Sequence, residues 1–314
     1  MKAVIPLLLA KGHQVIGVDN LLKSRKPTDY GKDYRFIQGD LTDRKVAEYA
    51  MEEADSVIQA AARIYGVSGF HVNRADILGE DVSLHNNVLR AAVAKKVDHV
   101  TYISSSMVYE SIFTFENSKA NPGFEEDEGL IKVPRTDYGL SKFVGERLSH
   151  AFKEQYDINY TIWRPFNIVS PYEISTGDVG TSHVFADFIK HIVIEKRDTI
   201  PLIGDGSQIR CFTWIDEVAQ AIADFQYDER VLNQTYNLGN PEPVSMKELA
   251  EIIREEAVSL GLIDTKELKF DTIKSFTDDV KVRIPNVSAV SGLWTAKIKT
   301  RESIKRCLQN LPKE

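Results

Sequence analysis

The chain has 314 residues, with 39 lysines and arginines against 46 aspartates and glutamates, and its formal net charge at pH 7 is −7. That length suits one large α/β domain with a smaller lobe, and the dispersed basic residues argue against a nucleic-acid partner. The 2 cysteines are too few for a disulfide framework or a zinc site, and the apolar runs are shorter than the roughly 18 residues of a membrane span, so we expect a cytoplasmic protein without a metal or a membrane segment.

Short apolar, β-branched segments alternate with longer amphipathic segments in the first half of the chain. Strands are predicted at 14–19, 34–40, 55–61, 99–105 and 160–165, with helices at about 43–53, 75–95 and 138–156. This alternation is typical of an α/β fold with a doubly wound, mostly parallel, Rossmann-like sheet.

Beyond residue 165 the pattern changes, because glycines and prolines separate shorter helices at roughly 183–196, 216–228 and 246–259. We therefore predict a Rossmann-like domain over residues 1–165. Residues 166–314 are expected to form mainly a smaller C-terminal α/β lobe that binds the substrate, with some segments returning to the main sheet.

Two side chains with complementary chemistry lie four residues apart in the segment YGLSK, at Tyr138 and Lys142. On a helix this spacing places both on one face. A phenol has a pKa of about 10, and a neighbouring ammonium favours the phenolate, so the pair is suited to accepting a hydroxyl proton. Ser105 lies at the carboxyl end of a predicted strand, where its hydroxyl can orient a reacting oxygen.

Together with YISSSMVY at 102–109 and RPFNIVSP at 164–171, this segment resembles the extended short-chain dehydrogenase/reductase family. The resemblance is to NAD-dependent nucleotide-sugar epimerases and dehydratases, and in particular to members similar to UDP-glucose 4-epimerase. It implies Ser105, Tyr138 and Lys142 as the catalytic residues and NAD as the cofactor. It also implies a UDP- or GDP-linked sugar as the substrate and a homodimer as the assembly.

The same resemblance implies a set of cofactor-binding residues. Asp19 in VIGVDN stands where the family holds the adenosine ribose, which favours NAD over NADP. The turn GDL at 39–41 and the segment AAAR at 60–63 resemble family segments that contact the adenine and pass under the cofactor. The implied cofactor contacts are Asp19, Asp40, Leu41, Ala60, Ala61, Ala62, Tyr138 and Lys142.

Substrate contacts are also implied by the resemblance. Asn167 and Arg210 resemble residues that bind the nucleotide-sugar and its diphosphate, a task suited to a guanidinium group. His183 has two open readings, a substrate contact or a capping residue at a helix start. The implied substrate contacts are Ser106, Met107, Asn167, His183, Arg210 and Arg283.

Two departures from the family narrow the reaction. Members that eliminate water carry an acid and a base where this chain has Ser106 and Met107, and members that invert C3 and C5 use a cysteine in place of Met107, whose thioether cannot transfer a proton. The preferred interpretation is epimerisation at C4 through a transient 4-keto sugar. A ketoreductase, a dehydratase and a non-catalytic nucleotide-sugar or protein-binding relative are the alternatives.

The glycine-rich turn with which the family begins does not occur in this sequence, and Met1 aligns near its third glycine. Those glycines let the backbone approach the cofactor pyrophosphate, so we expect weakened NAD binding. The first, central strand of the family sheet is also unaccounted for. Either the gene begins further upstream, which we favour, or Met1–Ile5 form a residual strand and Pro6 opens a shortened helix.

Overall fold

The structure of the protein is a computed structural model. It describes residues 1–23, 26–65, 67–112, 134, 136–173, 175, 177, 180, 182–264, 267–274 and 280–312.

The first half of the chain alternates helices and strands as the sequence predicts. In chain order the elements are α1 Val4–Ala10, β1 Val15–Asp19, β2 Tyr34–Gln38, α2 Arg44–Ala50, β3 Ser56–Gln59, α3 Val67–Val72, α4 Arg74–Ala94, β4 His99–Ile103, a 3₁₀ helix Ser106–Ile112, α5 Asp137–Tyr156 and β5 Asn159–Pro165. Because every predicted strand and helix of this half has a counterpart, the α/β assignment is confirmed.

The second half contains shorter elements. They are β6 Ile168–Val169, α6 Val184–Ile189 with a π-helical continuation Lys190–Ile194, β7 Thr199–Ile203, β8 Ile209–Cys211, β9 Thr213–Trp214, α7 Ile215–Phe225, a 3₁₀ turn Glu229–Val231, β10 Gln234–Leu238, β11 Pro243–Ser245, α8 Met246–Ser259, β12 Lys269–Ile273 and α9 Thr300–Gln309.

The main sheet is parallel and is divided into two parts. Four strands pair in the order β10-β5-β4-β3, and β1 pairs separately with β2. Among the described residues, β1 has no partner strand other than β2, and β3 has none other than β4. The division therefore falls between β1 and β3. The family resemblance seen in the sequence places the missing first strand at this position.

The beginning of the chain is helical rather than extended. Backbone N–H groups of Val4 and Ile5 donate to the carbonyl of Met1, at 2.9 and 3.1 Å, and the helix continues through Pro6. Proline is tolerated there because the first N–H groups of a helix have no intrahelical acceptor. The alternative that residues 1–5 form a residual strand is therefore wrong.

Side chains from both halves of the chain pack on the main sheet. One face of the sheet is covered by α2 and α4, with Ala47, Val88 and Leu89 in a shared apolar cluster with Val100 of β4. The opposite face is covered by α1 and α7, where Val4 and Val218 pack with Trp163, Leu238 and other buried residues. Helices on both faces of a parallel sheet define the doubly wound architecture.

The C-terminal lobe has an apolar core of its own, which contains Phe185, Ile192, Phe212, Leu249 and Ile304. Three pairs of short strands surround it: β7 with β12, β8 with β11, and β6 with β9. β10 leaves this lobe and joins the main sheet beside β5. No helix among the described residues is both long and apolar enough to cross a membrane.

Candidate active site

The carboxyl ends of the parallel strands bring most of the predicted site residues to one edge of the sheet. Asp19 ends β1, Ala60 follows β3, Ser105 follows β4 and Asn167 follows β5. Ligands bind outside the carboxyl ends of strands in open α/β sheets. This edge is therefore the candidate active site.

Tyr138 lies in the first turn of α5, which begins after Thr136. The Thr136 hydroxyl caps the helix by accepting the Gly139 N–H at 3.0 Å, and a buried carboxylate, Glu110, accepts the Thr136 N–H at 2.8 Å. Phe70 stacks on the Tyr138 ring with centroids 4.5 Å apart. These contacts fix the helix start and the ring plane, so the phenol is held in one position.

The phenol of Tyr138 is buried and hydrogen-bonded to Ser105, whose own position after β4 directs its hydroxyl to the same point. Burial raises the pKa of Tyr138 to about 12, although the Ser105 hydrogen bond and the charge of Arg283 act to lower it. The sequence argument expected a pKa lowered by Lys142. Desolvation of the phenolate outweighs the nearby cations here.

Lys142 extends beneath Tyr138 toward the end of β4. Its Nζ donates to the carbonyl of Ile103 at 2.9 Å and lies 5.9 Å from the centroid of the Tyr138 ring. Burial lowers the pKa of Lys142 to about 8, while the negative charges of Asp81 and Glu146 oppose that change. The ammonium form therefore predominates at neutral pH, within reach of the phenol.

A buried ion pair lies directly behind this site. Glu146 and Arg164 are 0% and 1% exposed, and two of their hydrogen bonds measure 2.9 and 2.6 Å. Ser104 donates to the same carboxylate, and Arg164 donates to the hydroxyl of Tyr109 at 2.8 Å. The network links β4, α5 and β5, so the backbone that carries Ser105 and Lys142 is fixed from behind.

Three predicted substrate contacts meet on the other side of Tyr138. Arg283 donates to Oδ1 of Asn167 at 2.8 Å and also contacts Sδ of Met107. Asn167 in turn donates to the carbonyl of Cys211 at 3.0 Å. The buried Ser106 begins the same 3₁₀ helix as Met107.

Arg210 lies on β8 beside this group. The β8 residue Ile209 forms a bridge with Val282, which aligns the segment of Arg283 with the strand that carries Arg210. Both guanidinium groups act on the thiol of Cys211, lowering its pKa against the burial that raises it to about 12. The charges of both arginines therefore act on Cys211, whose carbonyl accepts the Asn167 amide, and two cations suit the binding of a diphosphate.

His183 lies apart from these contacts, at the start of α6. Its Nδ1 and its backbone N–H both bond to the carboxylate of Glu173, at 2.8 and 2.9 Å. Although burial favours the neutral acid, these bonds hold the pKa of Glu173 below its usual value. The imidazole of His183 therefore fixes the start of α6. Among the residues that the structure describes, it shows no contact between His183 and the other predicted site residues.

Predicted cofactor contacts after β1 and β2 lie next to each other. Asp19 accepts the Leu21 N–H at 2.6 Å, and Asp40 accepts the side-chain amide of Asn20 at 3.0 Å. Hydrogen bonds from Thr42 hold the pKa of Asp40 below its usual value. Both carboxylates are thus fixed at the sheet edge where a ribose could be bound.

The segment after β3 is held by side chains from β3 and α4. Gln59 accepts the Ala61 N–H at 2.8 Å and hydrogen-bonds to His85 at 2.7 Å. Ala60 and Ala62, like Ala61, are half-buried. On the neighbouring turn, the carbonyl of Leu41 accepts a bond from Asn87.

The residues present fit part of an NAD molecule. The carboxylate of Asp19 is suited to accept the hydroxyls of one ribose, and the phenol of Tyr138 and the ammonium of Lys142 are groups that can hydrogen-bond to a second. Met1–Ala3, which lead into α1, include no glycine. The donor set thus fits the two ends of the cofactor, and the residues before α1 do not reproduce the turn expected for its pyrophosphate.

Several residues with site contacts were not identified from the sequence. They are Phe70, Asp81, Glu110, Ser141, Glu146 and Arg164. In the sequence each belongs to an ordinary amphipathic helix, turn or strand. Their places around Tyr138 and Lys142 follow from the packing of α3, α4, the 3₁₀ helix and the sheet against α5.

Comparison with known proteins agrees with this geometry. The model of the NAD dependent epimerase/dehydratase family matches residues 2–239. The chain is 26% identical over 310 residues to a putative UDP-glucose 4-epimerase of Methanocaldococcus jannaschii, covering 96% of this chain and 92% of that protein.

A second relative differs in its described activity. The chain is 27% identical over 249 residues to GDP-mannose 3,5-epimerase 1 of Oryza sativa subsp. indica, which is 78% of this chain and 63% of the rice protein's length. Among solved structures, the NAD complex of UDP-glucose 4-epimerase from Thermus thermophilus superimposes with a TM-score of 0.81, at 20% identity and with 98% and 94% of the two chains covered. The protein therefore has the Rossmann fold of these epimerases and belongs to the NAD-dependent epimerase/dehydratase family.

Proposed function

We propose that this protein is an NAD-dependent epimerase that acts at C4 of a nucleotide-diphosphate sugar through a transient 4-keto intermediate. The observation that carries the proposal is the arrangement of Ser105, Tyr138 and Lys142 at the carboxyl ends of the strands. A homodimer, a cytoplasmic location and a substrate lobe over residues 166–314 belong to the same proposal.

The proton chemistry follows from the contacts of Tyr138. Its phenol oxygen receives the proton of the sugar hydroxyl, and the Ser105 hydroxyl, which hydrogen-bonds to the phenol, orients the same sugar oxygen. Lys142 supplies a positive charge near the phenol ring and so favours the phenolate. Bound NAD supplies the hydride acceptor and a positively charged ring, which also favours the phenolate. Return of the hydride to the opposite face of the C4 ketone, together with return of the proton from Tyr138 to the sugar oxygen, would complete the epimerised sugar.

We assign the substrate diphosphate to Arg283, which contacts Asn167, and to Arg210 on the neighbouring strand. Arg283 contacts both Asn167 and Met107, and Arg210 lies on the adjacent β8. A bidentate guanidinium matches phosphate oxygens in geometry and charge. This assignment suits both UDP- and GDP-linked sugars, because neither arginine identifies a base.

Reaction at C4 is preferred over the other reactions of the family. The rice relative is a 3,5-epimerase, yet Met107 of this chain lies against Arg283 and has no transferable proton. Ser106, which is buried, is a weak acid and a weak base, so elimination of water lacks its catalysts. A ketoreductase uses the same Tyr138 and Lys142 and is distinguished by net consumption of reduced cofactor.

A non-catalytic binding protein is the second candidate. It is favoured by the division of the main sheet between β1 and β3 among the described residues. Such a protein would bind nucleotide-sugar through Arg210 and Arg283 without binding NAD. The two candidates therefore differ in whether the purified chain binds the cofactor.

Replacement of Tyr138 by Phe tests the proposal. The purified chain is incubated with NAD and UDP-linked hexoses, and the C4 epimers are separated chromatographically. Loss of the phenol should reduce turnover by roughly 10²–10⁴-fold, the usual contribution of a general base. Tyr156→Phe, at an exposed position on the same helix, is the matched control. Equal turnover of Tyr138→Phe and wild type would contradict the proposal.

A further inference from the structure

We propose that Asp81 is a positioning residue for the Tyr138–Lys142 pair. The negative charge of its carboxylate favours the protonated forms of both groups, the ammonium of Lys142 and the neutral phenol of Tyr138. Its hydrogen bonds also connect α5, which carries this pair, to the segment after β3. This inference rests on the proposed function, because the pair is of interest only as an acid–base catalyst.

Asp81 lies at the interface between α4 and α5 and is 0% exposed. Its Oδ1 accepts the backbone N–H of Arg63 at 2.7 Å, and its Oδ2 accepts the hydroxyl of Ser141 at 3.1 Å. Ser141 stands on α5 between Tyr138 and Lys142. One carboxylate thus joins the helix of the reacting groups to the segment expected to pass under the cofactor.

A carboxylate buried to this degree is costly unless hydrogen bonds and a nearby cation stabilise it. The hydrogen bonds that the structure shows for Asp81 come from an amide and a hydroxyl, which are neutral donors. Burial raises the pKa of Asp81, while its two hydrogen bonds and the charges of Lys142 and Arg63 act to lower it. Because neither hydrogen bond comes from a guanidinium group, the negative charge of Asp81 acts on Lys142. This differs from Glu146, whose charge is paired with Arg164 in two hydrogen bonds.

Two of the titratable groups around Lys142, His85 and Tyr102, are neutral at neutral pH. Burial lowers the pKa of His85 on α4 and raises the pKa of Tyr102 on β4, so neither carries a charge at neutral pH. Of the charges that raise the pKa of Lys142 against burial, Asp81 contributes most and Glu146 follows. Among the charged groups near the phenol of Tyr138, Asp81 and Glu110 raise its pKa and Arg283 lowers it.

Removal of the Asp81 charge should lower the pKa of Lys142 and also that of Tyr138. A negative charge favours the protonated form of any neighbouring acid, so Asp81 raises the pKa of Lys142 and also that of Tyr138. Asp81→Asn keeps an oxygen that can accept the Arg63 N–H. Ser141 can still donate to the carbonyl of Tyr138, 2.9 Å away. The variant therefore changes the charge with little change in packing.

The test is an NMR titration of the cofactor-free chain labelled with ¹³C in lysine, tyrosine and aspartate side chains. Signals are assigned with Lys142→Arg and Tyr138→Phe. In wild type, Lys142 should titrate near pH 8, and the Asp81 carboxyl carbon should report that titration. In Asp81→Asn, the Lys142 midpoint should fall by about one unit or more, and the Tyr138 midpoint should fall as well.

Two controls separate charge from structure. Asp76→Asn removes the same charge from an exposed site on α4, and Ser141→Ala removes a hydrogen bond but keeps the carboxylate; neither should lower the Lys142 midpoint. An unchanged midpoint in folded Asp81→Asn overturns the proposal. If that variant does not fold, a wild-type Asp81 carbon that does not respond at the Lys142 midpoint overturns it instead.

These titrations need neither cofactor nor substrate, so they stand independently of the epimerase assay. Absence of epimerase activity in wild type would refute the proposed function while leaving the charge coupling measurable. Where wild type is active, Asp81→Asn should shift the pH profile of turnover toward lower pH. An unshifted profile would contradict the role of Asp81 in the reaction.

Discussion

Two regions that meet at the same sheet edge differ in how completely they are packed. In β4, four of five residues are buried, and the side chains behind it form the Glu146–Arg164 network. In β1, no residue is fully buried, and β3 has one buried residue of four. The first region holds the proposed catalytic residues, and the second holds the proposed contacts to the adenosine half of NAD.

This difference separates the requirements of catalysis and of cofactor binding. The proposed proton-transfer residues are fixed by burial, by the capping of α5 and by a hydrogen bond to the end of β4, so their geometry exists before any ligand binds. Asp19 and Asp40 are fixed mainly by local turn hydrogen bonds beside a divided sheet. We therefore expect function to be limited by the β1–β3 region.

The largest effect is expected from Glu146→Gln. The change leaves the guanidinium of Arg164 buried without its counter-charge, which should cost about 3–5 kcal/mol of unfolding free energy. Urea denaturation measures it. Glu302→Gln, which breaks an exposed pair with Arg306, should cost about 0–1 kcal/mol. Similar losses in the two variants would show that the catalytic region is no more firmly held than the surface.

The pH dependence of stability in Lys142→Met tests whether the catalytic region buries a charged lysine. Lys142 has a folded-state pKa of about 8 against 10.5 in the unfolded chain, so between these values the unfolded state binds more protons and wild-type stability rises with pH. Relative to the methionine variant, wild type should gain about 2 kcal/mol or more between pH 7 and 10. Denaturation at both values measures it; a constant difference would contradict the burial of a charged Lys142.

Arg283→Ala tests the assignment of the diphosphate. Loss of a charged hydrogen-bond donor is worth about 1.5–3 kcal/mol, so nucleotide-sugar affinity should fall by roughly 10- to 100-fold. Calorimetric titration with the UDP-linked sugar measures it, and Arg306→Ala on the exposed face of α9 serves as the control. Unchanged affinity would remove Arg283 from the proposed site.

The smallest effect is expected in the half-buried region, from Asp19→Asn. The amide keeps one acceptor for a ribose hydroxyl but loses the charge, so NAD affinity should fall about fivefold, for a loss of about 1 kcal/mol. Asp33→Asn, at an exposed position before β2, is the control. An equal decrease in both variants would mean that Asp19 makes no direct contact with the cofactor.

Much of the fold was predictable because local patterns determine it. Short apolar, β-branched runs located the strands of the first half, and amphipathic segments located its helices. The missing glycine turn indicated where the sheet is divided. The helix at residues 4–10 was not predicted, because Pro6 was expected to mark the start of the helix. Proline is tolerated in the first turn of a helix, so the helix begins before it.

The site was less predictable, because its energetics depend on contacts distant in sequence. Tyr138 and Lys142 were identifiable from their spacing, but the rise in the pKa of Tyr138 comes from burial under Phe70 and neighbouring elements. Asp81 approaches Lys142 only because α4 packs along α5. His183 had two open readings, and the structure favours a structural role through Glu173.

The most direct test of an NAD-dependent reaction is the cofactor content of the purified 314-residue chain, followed by titration with NAD. Acid release and chromatography measure bound NAD, and calorimetry measures the affinity. The account predicts saturable binding of one NAD per chain. A folded chain that binds no NAD, yet binds nucleotide-sugar, would contradict the epimerase assignment and support the non-catalytic alternative.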